Sequence, residues 1–272
     1  KIIKSVIILE SSIPFMIKIV TTCYNCESFI GECIESVLSQ DEGEWEMYII
    51  DDASTDNTVE AAIKTSNGDS RIKILRNKKN NGLAFNQTLN FVHHARPNDE
   101  DVIVILDGDD YLINIQALSY LKQIYSKGYW LTYGGIDHCP SKRCAEDFYT
   151  EIDWSRSLRN QRFCLGHLRS HKFFLLKNVK NIDLRDKEKN FFKFGVDVAL
   201  CIPMAEMAGE NKCFYIKDKL YYYRFHDNNV HESSEKDKKR NEQIKGDLSF
   251  RTPYKRETKH KLLNRTCDWT FD

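Results

Sequence analysis

Three carboxylates fall within four residues at Asp107-Gly108-Asp109-Asp110, directly behind the apolar run 102–106. Such a run reads as a buried parallel strand. Acid loaded on the end of a core strand has to be neutralised. A divalent cation carrying a phosphate ester does this, because hard cations take carboxylate and phosphate oxygens together. Like charges this close raise one another's pKa unless a cation lies among them, so metal affinity should fall as the carboxylates protonate. The competing reading is a solvated acidic turn, since Asp-Gly is a common turn dipeptide.

Two more polar clusters stand at the ends of apolar runs: Thr22-Cys23-Tyr24-Asn25 after 17–23, and Asp51-Asp52 after 47–50. Between the runs lie stretches with helical spacing. Ile30, Cys33, Ile34, Val37 and Leu38 share one face, as do Val59, Ala62 and Ile63, and then Phe85, Leu89 and Val92. Residues 71–75 add a further strand. Alternating strands and helices predict a parallel sheet with helices on its faces. Ligands of such sheets bind beyond the carboxyl ends of the strands, where all three clusters fall. Ser54, Thr55 and Asp56 read as helix caps, and one of Asp51 and Asp52 reads the same way. Tyr24 reads either as a core aromatic or as a pocket wall, and its place at a strand end favours the pocket.

The second half is less regular. A strand is expected near 130–134, loops over 137–162, a helix up to 207 with Val198, Ile202 and Ala205 in register, and an aromatic strand over 220–225. Residues 236–265 hold 11 Lys/Arg against 4 Asp/Glu and read as a solvated basic tail. Contact with acidic lipids or an anionic acceptor is the competing reading of that charge, but no amphipathic stripe accompanies it.

At 272 residues the chain fits one large domain or one and a half. Its 40 basic and 40 acidic residues cancel, so the total charge gives no pull toward nucleic acid or an anionic membrane. Nine cysteines lack the spacing of a disulfide scaffold; Cys23-x-x-Cys26 is the lone CxxC, and Cys139 with Cys144 is poorly spaced to complete a zinc site. Reduced thiols in a cytoplasmic protein are the expectation. No run of about 20 apolar residues suggests a transmembrane helix. Residues 1–15, ahead of Met16, read as an extension or upstream segment.

Taken in order, Thr22-Cys23-Tyr24-Asn25, Ser36-Val37-Leu38-Ser39-Gln40, Ile50 to Asp56, Asn81-Gly82, Leu106 to Asp110, Gly195-Val196-Asp197 and Tyr223-Arg224-Phe225-His226 resemble a family 2 glycosyltransferase with the GT-A fold. The resemblance covers roughly residues 17–230. It implies a Rossmann-like α/β architecture: a mostly parallel sheet flanked by helices, with a smaller irregular acceptor-side half. It also implies a nucleotide-sugar donor, usually a UDP-sugar, a Mn²⁺ or Mg²⁺ cofactor, and inversion at the anomeric carbon. The acceptor is an unidentified glycan, lipid-linked or protein hydroxyl.

Carried over by position, Thr22 and Tyr24 would line the uracil pocket, with Tyr24 stacked on the base, and Asn25 would belong to the donor-binding residues. Asp52 would accept from the uracil N3–H, and Asp107 would hold the ribose. Asp109 or Asp110 would ligate the metal. His226 would reach the metal or diphosphate with Arg224 assisting, and Asp197 would be the general base. His167, His171 and His231 lie in surroundings similar to those of His226. The chain departs from the family pattern at Val196, where an acid is common, and at Phe85, where Arg or Lys is common.

The expected division is an extension (1–15), a glycosyltransferase domain (16–232, with a nucleotide-binding half 16–112 and an acceptor half 113–232), and the basic tail (233–272). The alternatives are a non-catalytic nucleotide-sugar-binding module, left open by Val196, and a sugar nucleotidyltransferase, for which residues 21–31 lack the Gly-rich basic loop. A dinucleotide oxidoreductase is disfavoured, since no G-x-G-x-x-G follows the first strand.

Overall fold

The computed structural model describes residues 14–137, 150–186, 188–192, 195–226, 251–267 and 269. The first strand, β1 (Ile17–Cys23), is buried along its whole length. It is followed by β2 (Trp45–Asp51), β3 (Ile72–Arg76), β4 (Val102–Ile105), β5 (Tyr111–Leu112), β6 (Leu131–Asp137), β7 (Arg169–Lys172) and β8 (Cys213–Tyr222). All eight form one sheet in the order β3-β2-β1-β4-β7-β6-β8-β5. β3, β2, β1 and β4 run parallel; β7 then enters antiparallel to both β4 and β6.

The chain leaves β1 toward β2 and β3, then returns to place β4 on the other side of β1. That reversal opens a crevice between the carboxyl ends of β1 and β4, the usual ligand position in such sheets. The antiparallel entry of β7 brings the start of that strand to the same rim. Arg169, its first residue, pairs in register with Ile105, two residues before Asp107.

Strand side chains alternate between two cores, as a period of two requires. Val20, Tyr48, Ile50, Ile103 and Ile105 face one cluster, with Phe91, Phe174 and Met204. Ile19, Met47, Ile49, Val102 and Val104 face the other, against α1 (Ile30–Leu38) and α5 (Ala117–Ser126). Helix α1 buries Ile30, Cys33, Ile34 and Val37, the face expected from its spacing. In α2 (Thr58–Ser66), by contrast, Ala62 is buried while Ile63 is 58% exposed, so Ile63 is not a core residue. The next helical stretch contains α3 (Leu83–Phe85), a π-helical turn (Asn86–Asn90) and α4 (Phe91–Ala95). Asn86 is fully buried at its centre.

After the short α6 (Phe173–Leu176), α7 (Val196–Ala208) is buried on every side rather than along a single Val198, Ile202 and Ala205 stripe. Its two acidic residues each meet an arginine: Asp197 meets Arg169, and Glu206 meets Arg159 at 2.7 Å. The aromatic strand at the end of the domain starts earlier than expected and stops at Tyr222, leaving 223–226 as an extended rim segment.

The basic tail differs from expectation where it is described. Residues 251–267 are strapped onto the domain instead of standing off in solvent. Leu262 is fully buried in the first core, the Tyr254 hydroxyl donates to Asp183 Oδ2 at 2.5 Å, and the Arg251 guanidinium donates to Asp183 Oδ1 at 3.0 Å. Apolar burial of Leu262 outweighs solvation of the flanking charges, several of which find partners such as Glu257 and Glu100. Of the loop expected over 137–162, residues 138–149 with Cys139 and Cys144 lie outside the described residues, as do 1–13 and 227–250.

Candidate active site

The Asp107–Asp110 turn is seated against the end of β1. Gly108 N–H donates to Thr22 O at 3.1 Å, and a Cβ at this glycine would stand 2.7 Å from Cys23 Cβ. Only glycine permits that approach, so Gly108 joins two strand ends into one rim. Next to it, the loop after β1 is tied to the loop after β2. Asn25, in the left-handed region at φ 56°, donates its N–H to Ser54 Oγ, and its Oδ1 accepts from Thr55 N–H at 2.9 Å. Asn25 therefore braces the two loops against each other. Tyr24 is left 49% exposed on the rim.

Adjacent acids after β2 point to different partners. Asp51 is fully buried, accepts from Ser54 N–H at 3.2 Å and pairs with Arg76 at 3.5 Å. Asp52 accepts at Oδ1 from Asn81 N–H and Asn77 Nδ2, and at Oδ2 from Gly82 N–H, each at 2.8 Å. Asn77 also donates to Asn86 Oδ1 and accepts from Asn90 Nδ2, so a buried amide network stands behind Asp52. A cavity of about 520 Å³ opens beside it, lined by Ala53, Ser54, Arg76, Asn77 and Lys78. The acids after β4 do not line this hollow. The caps of α2 are shared out: Asn57 holds the cap position, while Asp56 Oδ1 accepts from Thr58 N–H at 3.1 Å.

The three acids after β4 separate cleanly. Asp110 is 1% exposed, and both its oxygens are engaged: Oδ2 by the Tyr221 hydroxyl at 2.6 Å and Oδ1 by Arg224 N–H at 2.7 Å. Burial, then Asp109 and Asp107, push its pKa well up. Asp109 retains 23% of its side-chain surface and meets His226 Nε2 at 3.0 Å, while the His226 ring stacks on Phe29 at 4.5 Å. Asp107 lies between these acids and Asp197. Its side chain keeps 27% of its surface, yet enclosure by the surrounding chain pushes it up to about 7. Arg169 opposes that rise, and Asp109 and Asp197 add to it.

Asp197 stands in the first turn of α7, where the helix dipole favours negative charge. Its Oδ2 is 3.2 Å from Arg169 Nη1, and its Oδ1 accepts from Val198 N–H at 2.9 Å. Arg169 also donates to the His167 ring, whose Nδ1 is 3.2 Å away. His167 in turn stacks on Tyr221 at 4.6 Å and comes within 3.9 Å of Asp107 Oδ2. Asp107, Asp109 and Asp197 therefore share one electrostatic environment.

The family model described as Glycosyl transferase family 2 matches residues 18–184, more than half of the chain. The chain belongs to glycosyl transferase family 2. Among relatives, EpsE of Bacillus subtilis is 41% identical over 96 residues, which is 35% of this chain and 33% of EpsE. The Escherichia coli UDP-Glc:alpha-D-GlcNAc-diphosphoundecaprenol beta-1,3-glucosyltransferase WfgD is 28% identical over 150 residues, 54% of this chain and 56% of WfgD. Of solved structures, S. aureus TarS in complex with UDP-GlcNAc superposes with a TM-score of 0.61 at 16% identity, covering 81% of this chain and 61% of that one. The mannosyltransferase PcManGT from Pyrobaculum calidifontis, in complex with GDP-Man and Mn²⁺, gives 0.55 at 16% identity, covering 81% and 60%. At these identities the structural likeness shows the shared GT-A fold. The chain spans only a third of EpsE and about three fifths of the TarS chain.

Within this family 2 domain, the predicted residues Asp107, Asp109, Asp110, Asp197, Arg224 and His226 gather around one rim, while Thr22, Tyr24, Asn25 and Asp52 occupy the neighbouring strand ends. Thr22 Oγ1 is buried and meets no hydrogen-bond partner among the described residues. Arg224 is held at the rim by several neighbours. Its Nε donates to Asp109 O at 2.9 Å, its fork pairs with Glu32, and its guanidinium lies over Phe29 at 5.1 Å and Tyr111 at 5.5 Å. Its backbone N–H and Nε thereby tie Arg224 to the Asp109-Asp110 turn.

Of the other histidines, His171 is buried in mid-strand opposite Ile103, away from the rim, and His231 lies outside the described residues. The CxxC thiols are inert: burial pushes Cys26 up to about 12 and raises Cys23 and Cys33 as well. Sequence reasoning missed Arg169 and Tyr221, and named His167 only as one of three histidines in surroundings like those of His226. The available signal was a buried basic residue inside an otherwise apolar stretch, at 163–179, but its partner cannot be read without the register of β7 on β4. No described helix is long and apolar enough to cross a membrane.

Proposed function

We propose that this domain is an inverting glycosyltransferase that moves a sugar from a nucleotide diphosphate donor, most simply a UDP-sugar, to an acceptor hydroxyl, with Asp197 as general base. The observation that carries this reading is the contact chain that joins Asp197 to the strand-end acids: Asp197 to Arg169 at 3.2 Å, Arg169 to His167 Nδ1 at 3.2 Å, and His167 to Asp107 at 3.9 Å. In the transfer, the acceptor oxygen gives its proton to an Asp197 oxygen and bonds to the anomeric carbon. The bond from that carbon to the diphosphate oxygen breaks, and the diphosphate leaves with the electron pair. A placed carboxylate contributes about 10²–10⁴-fold to such a step. Holding donor and acceptor in line contributes about 7–11 kcal/mol.

Tyr24 supplies an exposed ring for base stacking, Asp52 retains acceptor capacity at Oδ2 for a base N–H, and Asp107 faces the ribose. Asp109 and His226 fit a divalent cation. A carboxylate and an imidazole lie side by side, and Mg²⁺ or Mn²⁺ needs only one or two protein ligands when phosphate oxygens and water complete its shell. When bound, it offsets the charge gained by the departing diphosphate. The acceptor belongs to a glycan, a lipid-linked sugar or a protein. Buried thiols with raised pKa values suit a reducing, cytoplasmic setting.

The test is UDP release from a panel of UDP-sugars with Mn²⁺ or Mg²⁺, alongside calorimetric binding of UDP. Asp197→Asn is expected to bind UDP as the wild type does and to lose at least about 10²-fold in turnover. UDP binding with no release from any donor and acceptor supports the binding-module alternative. Equal loss of binding in Asp197→Asn and Asp109→Ala rejects these roles.

A further inference from the structure

We propose that Arg169 is a positioning residue for sugar transfer, which holds the Asp197 carboxylate in the orientation from which it takes the acceptor proton. This rests on the transferase reading above.

Asp197 is 36% exposed, on a short side chain at a helix start, and left to itself would sample several rotamers. It is gripped at both oxygens instead. Val198 N–H holds Oδ1 at 2.9 Å, and Arg169 Nη1 holds Oδ2 at 3.2 Å. The arginine is itself immobilised. It is 7% exposed, its backbone is set by pairing with Ile105, and its other terminal nitrogen is engaged by His167. His167 is fixed by stacking on Tyr221, whose hydroxyl is bonded to Asp110. A chain of contacts thus runs from the acids after β4, through Tyr221, His167 and Arg169, to the carboxylate on α7.

Burying a guanidinium is costly unless it is paired and hydrogen-bonded. Among the described residues, Asp107 repels Asp197 and the thiol of Cys201 lies one turn along α7, while Arg169 supplies the opposite charge that makes this position tenable for a carboxylate. A planar fork that stays charged at every working pH can fix a carboxylate in direction as well as place, which an ammonium cannot. The arrangement gives the base a defined aim without placing the arginine on the reacting atoms.

The experiment is a kinetic double-mutant cycle with wild type, Arg169→Met, Asp197→Asn and the double variant, plus Arg169→Lys. UDP release gives kcat and donor KM, calorimetry gives the UDP dissociation constant, and a thermal melt checks folding. Arg169→Met is expected to lower kcat by about 30-fold or more with UDP affinity within about threefold, because the loss is one of orientation at the base. Arg169→Lys should fall between, about tenfold down, since charge is kept and the fork is lost. The double variant should be no slower than Asp197→Asn within about twofold, because residues acting as a unit are non-additive. If Arg169→Met does not fold, Arg169→Lys with its Asp197→Asn double closes the same cycle. Multiplicative losses, or a wild-type kcat in Arg169→Lys, overturn the inference while leaving the transferase reading intact. A wild type that turns over no nucleotide sugar overturns both.

Discussion

The Tyr221 hydroxyl donates a 2.6 Å hydrogen bond to Asp110 Oδ2, joining residues 111 positions apart in the chain. With Arg224 N–H on Oδ1, this engages both oxygens of a buried carboxylate, while Asp107 and Asp109 keep 27% and 23% of their side-chain surface. Asp110→Ala should therefore act on stability. It strands two donors, and hydrogen bonds to charged groups contribute about 1.5–3 kcal/mol each. A loss of about 3 kcal/mol in urea unfolding is expected, whereas Asp109→Ala should unfold like the wild type but lose Mn²⁺-dependent UDP binding by at least tenfold, the order of one charge-assisted ligand contact. A stable Asp110→Ala protein that has lost metal-dependent binding reverses the assignment.

Gly108 supports the same rim by absence of a side chain. Gly108→Ala sets a methyl 2.7 Å from Cys23 Cβ and 3.2 Å from Thr22 O, so the turn or β1 must shift. Overpacking of this kind costs about 1–3 kcal/mol. The same shift should weaken UDP binding, since Thr22 and Asp107 lie on either side of the contact. A melting curve and UDP affinity both equal to the wild type would show that the close approach is not required.

His171 gives acid sensitivity away from the site. Its burial pushes the imidazole down from 6.5 to about 4. The unfolded chain binds the proton more readily than the folded one, so the stabilisation is complete above pH 6.5 and is lost as pH falls toward 4. The linkage amounts to about 2 kcal/mol at pH 5. His171→Leu should flatten the fall in unfolding free energy between pH 6.5 and 5 by that amount, even if its stability at pH 7.5 is lower. Parallel curves for the two proteins would rule out His171 as the source.

The strap formed by residues 251–267 is testable at Leu262. This side chain is fully buried in the first core, in the cluster that also holds Leu175, Leu176 and Val179. Leu262→Ala should cost about 2–5 kcal/mol, the range for cavities of this type. An unchanged unfolding midpoint would return the segment to the solvated tail that its charge suggests.

Much of the architecture was legible in the chain. The alternation of apolar runs and amphipathic stretches placed β1 to β4, α1 and α2 within a few residues, because each depends on contacts to a sheet it must cover. The strand-end acids were visible for the same reason. Ile63 and the buried circumference of α7 were misread, because a helical stripe shows only which side could be apolar, and the neighbours decide how much is covered. β5 was invisible: two residues carry no period.

Sequence alone determined that a family 2 sheet ends in a rim of carboxylates, since short-range periodicity and composition encode which runs are strands and what chemistry follows them. Tertiary structure decided what those groups do to one another. Asp110 rather than Asp109 became the buried anchor because Tyr221 arrives from β8. Arg224 meets Phe29, Tyr111 and Glu32 because segments far apart in the chain converge at this rim. Arg169 met Asp197 because β7 enters antiparallel beside β4. Each outcome depends on strand register between distant segments, and register is set by the fit of whole faces rather than by any local pattern.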